Sequence, residues 1–116
     1  MAKSAKKIAL LCAEAILSKK ANDVVILEMK KLTNVIDYFV ICSGTSDVQV
    51  RAIANAVDEL VNKEKIKIHH IEGYEWATWI LIDLYNVVIH IFYEETRKLY
   101  DLENLWGDAK RVKVKN

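Results

Sequence analysis

The chain has 116 residues, of which 53% are apolar and 28% charged, with no proline and only three glycines. That length fits one domain of roughly 100–200 residues, and the composition is that of an ordered globular protein rather than a disordered tail. No apolar run approaches the ~18–20 residues that cross a bilayer, which excludes a reading as a helical membrane span.

Charge is more informative by region than in total. The formal net charge is +1, yet Lys3, Lys6 and Lys7 open the chain and Lys110, Arg111, Lys113 and Lys115 close it. Between Ile8 and Ala109, ten basic residues face all sixteen acidic ones, a net of −6. An acidic body is poorly suited to RNA phosphates, where affinity comes from displaced counterions. It suits a basic protein partner, whose approach it accelerates and orients.

In chain order, Ile8, Leu11, Cys12, Ala15 and Ile16 fall on one face of a helix expected over Lys3 to Lys20. Glu14 interrupts the apolar stretch, so this opening reads as a mature cytosolic helix and not a secretory leader. Cys12 and Cys42 lie in apolar segments without metal-ligand spacing and read as reduced core residues. The β-branched run from Val24 predicts a strand to about Met29, and a second strand is expected over Tyr38 to Cys42. Ser43-Gly44-Thr45-Ser46-Asp47 then leads into a helix ending near Glu64, with Ser46 and Gln49 spaced as a capping box. Ile66 to Ile71 alternates apolar with polar residues and predicts a half-exposed strand.

Thr78 to Leu84 and Val87 to Phe92 predict two strands joined by Tyr85-Asn86 as a hairpin. Leu99, Leu102, Leu105 and Trp106 predict a closing helix, after which a basic tail frays. Residues 1–109 therefore read as a single domain and 110–116 as the tail. The fold expected is α/β, a mixed sheet of about five strands flanked by helices, with the Tyr38-to-Ile71 crossover supplying a parallel pair.

Four features invite chemistry. The Ser43–Asp47 turn offers a glycine, three hydroxyls and a helix N-terminus to an anion, or is simply a well-capped connection. A two-residue hairpin turn opposes Leu81 to His90 and Asp83 to Val88, and places Trp79, Leu81, Asp83, Val88, His90 and Phe92 on one face. Asp83 and His90 then become diagonal neighbours, close enough for a carboxylate–imidazole contact of the kind a general base uses. His69 and His70, if both lie in a strand, point to opposite faces and cannot chelate together. Tyr74, Trp76, Trp79 and Tyr85 fall within twelve residues beside Glu72, Glu75 and Asp83, a composition suited to a protein-binding hot spot.

These residues also carry a family resemblance. Asp37-Tyr38-Phe39-Val40-Ile41-Cys42-Ser43-Gly44-Thr45-Ser46 resembles the central signature of the ribosomal silencing factor, or Iojap-like, family. Glu72-Gly73, Trp79-Ile80-Leu81-Ile82-Asp83, Val87 to His90, and Arg97, Tyr100, Leu102-Glu103, Leu105-Trp106 and Asp108-Ala109 follow in the family's order, so the likeness spans roughly Ile8 to Ala109. It implies a nucleotidyltransferase-like topology without transferase activity, and a cytoplasmic protein that is a homodimer when free. It further implies docking on the large ribosomal subunit through its ribosomal protein number fourteen. Steric exclusion of the small subunit would then repress translation when nutrients run short. Trp79 and Leu84 match the family's contact positions, with Asp83, Tyr85, Asn86 and His90 around them.

The family usually has Gly where Tyr85 stands. Tyr85 would strain a tight turn, so a longer loop or another turn type is expected. Neither a metal nor another cofactor is expected. Asp58 and Glu59 are adjacent on a helix, and Asp83 stands alone in its strand, whereas nucleotidyltransferases hold metal ions with paired strand carboxylates. The rival reading is a nucleotide-dependent transferase or hydrolase using the Ser43–Asp47 turn with Asp83 and His90. A third is RNA binding through the basic termini.

Overall fold

A computed structural model describes residues 3–114. The order is α1 (Ala5–Leu17), β1 (Asn22–Glu28), β2 (Tyr38–Gly44), α2 (Asp47–Lys63), β3 (His70–Glu72), β4 (Trp79–Asp83), β5 (Val87–Tyr93), α3 (Glu94–Tyr100), α4 (Leu102–Leu105) and β6 (Lys110–Val112). Serine caps start both long helices: Ser4 Oγ accepts from the Lys7 amide at 3.1 Å, and Ser46 Oγ from the Gln49 amide at 3.1 Å. The reciprocal half of the expected capping box is displaced by one residue. Gln49 Oε1 accepts from the Thr45 amide at 2.8 Å, while its Nε2 donates to the carbonyls of Lys19 and Lys20 beyond α1. One side chain thus joins the turn to the neighbouring helix.

The strands form one six-stranded sheet in the order β3-β4-β5-β2-β1-β6. Among the described residues, only β2 and β5 pair in parallel; every other neighbour is antiparallel. The mixed α/β class is as expected, with three corrections. The parallel partner of β2 is β5 rather than the strand after α2, because the crossover carries β3 past two positions to the sheet edge. The closing helix is two short ones, broken at Asp101, whose φ of 47° is left-handed. The sixth strand comes from the segment read as a fraying tail: Lys110, Arg111 and Val112 pair with Glu28, Leu27 and Ile26. Of the basic termini, Lys115 lies outside the described residues, as do Met1, Ala2 and Asn116.

The sheet has two unlike faces. Ile26, Val40, Cys42, Ile80, Ile82, Val87, Ile89 and Ile91 pack under α1 and α2 with Cys12, Ile16, Ile53 and Val57, all buried. Burial drives both thiols up to about 12, so they are inert core groups as expected. The opposite face gathers Leu27, Met29, Phe39, Ile41, Val88 and Phe92 under Leu102 and Trp106. That cover is short, so at its β4 end Trp79 and Leu81 are only half-buried. Among the described residues, no helix is long and apolar enough to cross a membrane.

Candidate functional site

The hairpin of β4 and β5 has the expected register: Leu81 faces His90 and Asp83 faces Val88, with Trp79 opposite Phe92. Its turn is not longer. The Leu84 amide donates to the Val87 carbonyl at 2.9 Å, and the Asn86 amide donates to the Leu84 carbonyl at 3.1 Å, so the chain reverses around Tyr85. Tyr85 takes the positive φ, 74°, that glycine would adopt freely. Neighbouring contacts hold it there. Asp83 Oδ1 accepts from the Tyr85 amide at 2.8 Å, and the Asn86 carbonyl accepts from the amides of Asp37 and Tyr38 at the start of β2.

Behind this turn the side chains divide by depth. Trp79 is half-buried; its ring lies 4.9 Å from Phe92 and 4.7 Å from Tyr100, and its Nε1–H donates to His90 Nδ1 at 3.1 Å. His90 is 4% exposed, and burial pulls its pKa from 6.5 down to about 4, so the ring is neutral at pH 7. Leu84 is 5% exposed and belongs to the core under the two long helices. Asp83 is half-buried, while Tyr85 and Asn86 are exposed. Of the six residues singled out from the sequence, Trp79, Asp83, Tyr85 and Asn86 present surface; Leu84 and His90 support them from within.

Two sequence expectations fail here. Asp83 does not meet His90. Its Oδ2 lies 3.5 Å from His69 Nδ1 and 3.6 Å from His70 Nδ1, and His90 has turned into the aromatic core against Phe39, Phe92 and Trp79. The base–acid pair of the transferase or hydrolase reading is therefore not assembled. The two adjacent histidines, by contrast, do converge, with Nδ1 atoms 2.7 Å apart. Strand alternation does not govern them, because β3 begins at His70 and His69 lies just before it. The expectation that His69 and His70 cannot chelate together is corrected: with Asp83 they form a three-residue cluster of potential ligands.

The Ser43–Asp47 turn has several of its polar groups already engaged. Ser43 is buried, and its hydroxyl donates to the Asn22 carbonyl at 3.4 Å while accepting from Arg97 at 3.1 Å. The Thr45 and Gln49 amides are taken up in the cap described above. This favours the bland reading of a capped connection.

Around the hairpin, Arg51 on α2 pins the preceding loop through Nε to the Tyr74 carbonyl at 3.1 Å and Nη2 to the Glu75 carbonyl at 2.5 Å. Tyr74 hydroxyl donates to Asn55 Oδ1 at 3.1 Å. The loop so held leaves Trp76 80% exposed. Tyr100, also exposed, joins Trp79 from α3 and was not foreseen as part of this surface. Its helical spacing gives no hint of the contact, which depends on how α3 folds back after β5.

Comparison with known proteins supports the fold and gives a family. The family model described as "Ribosomal silencing factor during starvation" matches residues 2–116. The chain is 45% identical to ribosomal silencing factor RsfS of Halalkalibacterium halodurans over 104 residues, covering 90% of this chain and 89% of that one. It superposes with a TM-score of 0.88 on the crystal structure of a protein from Chromobacterium violaceum, at 33% identity, covering 90% of this chain and 88% of the other. A more distant relative is the mouse protein named "Mitochondrial assembly of ribosomal large subunit protein 1", 32% identical over 91 residues, or 76% of this chain and 40% of that protein.

Proposed function

The chain belongs to the ribosomal silencing factor family, and from that premise we propose that it is a non-enzymatic repressor of translation. In this reading it docks on the large ribosomal subunit through ribosomal protein number fourteen and blocks the small subunit by steric overlap. It acts in the cytoplasm when nutrients are limiting, and is a homodimer when free. The contact surface is the hairpin: Trp79 as its aromatic anchor, Asp83, Tyr85 and Asn86 around it, and Leu84 and His90 holding it in shape from beneath.

The observation that carries the proposal is the half-open end of the second sheet face. An indole, Leu81 and a carboxylate share that end beside an exposed turn, all of them only half-buried, with Tyr100 of α3 against the indole. Aromatic anchors with a polar rim are what a protein interface uses. The net −6 of the body complements a basic ribosomal surface. The name of the mouse relative, which refers to large-subunit assembly, points to the same partner class.

Purified large and small subunits mixed with the protein and separated on a sucrose gradient test the reading. The expected result is protein co-migrating with the large subunit and fewer joined ribosomes. Undiminished joining with no protein on the large subunit sinks it. Trp79→Ala is expected to lose co-migration while keeping its circular dichroism spectrum; binding unaltered in that variant removes Trp79 from the surface.

A further inference from the structure

Beside the hairpin turn, three potential ligand atoms face one another. The Nδ1 atoms of His69 and His70 and Oδ2 of Asp83 form a triangle with edges of 2.7, 3.5 and 3.6 Å. A circle through these corners has a radius of about 1.9 Å, close to the Zn–N and Zn–O bond lengths of roughly 2.0–2.2 Å. A single ion slightly above the plane therefore reaches all three atoms with little movement of any side chain. We propose that His69, His70 and Asp83 form a binding site for one divalent transition-metal ion of the zinc class.

The backbone presets this triangle. His70 is the register partner of Asp83 across β3 and β4, and the His69 amide donates to the Asp83 carbonyl at 2.8 Å. Both histidines are thereby delivered to the same carboxylate. The Tyr85 amide occupies Asp83 Oδ1, which leaves Oδ2 to face the imidazoles. Each ring is also oriented from outside the triangle. His70 Nε2 lies 3.4 Å from Glu72 Oε1, the carboxylate that a ligating histidine needs on its far nitrogen. The His69 ring packs edge-on against Tyr85, with centroids 4.8 Å apart.

Without a metal, the 2.7 Å approach of two Nδ1 atoms requires one imidazole to donate a proton to the other. An ion replaces that shared proton. Two imidazoles and one carboxylate select zinc, nickel, cobalt or copper over magnesium or calcium, which prefer oxygen ligands. His69, His70 and Asp83 are partly solvent-exposed, so water can complete the coordination sphere. The proposal is independent of the hairpin's role as a docking surface, although Asp83 takes part in both.

The test uses the full, untagged chain, stripped with chelator and titrated with Co2+ by visible absorption and with Zn2+ by calorimetry, without ribosomes. Expected is saturable binding of one ion per chain, with cobalt d–d bands that zinc displaces. His70→Ala and Asp83→Asn should abolish it; the asparagine amide oxygen can still accept from Tyr85, so the turn survives. Glu72→Gln should weaken it by about tenfold. Circular dichroism establishes that each variant is folded. Absence of saturable binding overturns the proposal. So does binding that persists unchanged in folded His70→Ala or Asp83→Asn, which would mark an adventitious ion only.

Discussion

The indole N–H of Trp79 donates to Nδ1 of His90 at 3.1 Å, and an indole nitrogen can only donate. The imidazole is therefore neutral and carries its proton on Nε2, which finds no hydrogen-bond partner among the described residues. The half-buried indole of the hairpin is held by a base that must remain uncharged.

Stability should consequently fall in mild acid. The His90 pKa drops from 6.5 to about 4 on burial, so between these values the unfolded chain takes up a proton that the folded chain refuses. Stability attributable to this ring is full above pH 6.5 and is lost progressively as pH falls to about 4, by up to about 3 kcal/mol. Urea midpoints measured from pH 7 to pH 4.5 should show a shallower decline in His90→Gln than in the parent. Parallel declines would mean that other groups dominate.

Arg97 is the next pressure point. Buried among β1, β2 and α4, its guanidinium donates to the carbonyls of Asn22 and Asp23, to Ser43 Oγ, and to Glu103 Oε2 at 3.1 Å. Arg97→Met leaves Glu103 without its partner and should lower unfolding free energy by about 3–5 kcal/mol. Arg97→Lys should rescue little, since an ammonium cannot reproduce the planar fork. Denaturant titration of both variants checks this; a mild effect of either contradicts the assigned role.

Gly73 couples backbone geometry to Trp79. Its φ is +83°, and a Cβ added there would overlap the carbonyl oxygen of Trp79 at the start of β4. Gly73→Ala should destabilise by about 2–3 kcal/mol, combining left-handed strain with displacement of a strand. Tryptophan fluorescence should shift together with the lower melting temperature. An unshifted spectrum would show the clash relieved elsewhere.

Tyr85→Gly makes the opposite case. The residue holds φ of 74° at an exposed turn, so glycine should raise stability by about 1 kcal/mol through relief of strain, whereas Tyr85→Ala should not. If both variants behave alike, packing of the ring on His69 outweighs backbone strain at this turn.

The hairpin register was legible because a two-residue connection leaves strand pairing little choice, and the long helices because serine caps precede clean apolar periodicity. What escaped was set by distance or by strand onset. Lys110-Arg111-Val112 has too few apolar residues to announce a strand; it becomes one because β1 offers an unpaired edge. Strand alternation over Ile66 to Ile71 puts His69 and His70 on opposite faces, but β3 begins only at His70, so His69 escapes that alternation. The Asp83 contact went to these two rings because the apolar surroundings of His90 drew its imidazole inward, and no local pattern records that competition.

The strand on the outer edge of β1, β6, lies some eighty positions further along the polypeptide. During synthesis, β1 must wait with its outer amides and carbonyls unclaimed until Lys110 to Val112 have emerged. Nascent chains halted short of Lys110 would display a sticky rim of β-branched residues, an invitation to aggregate. Until that late segment arrives, the sheet keeps one open border.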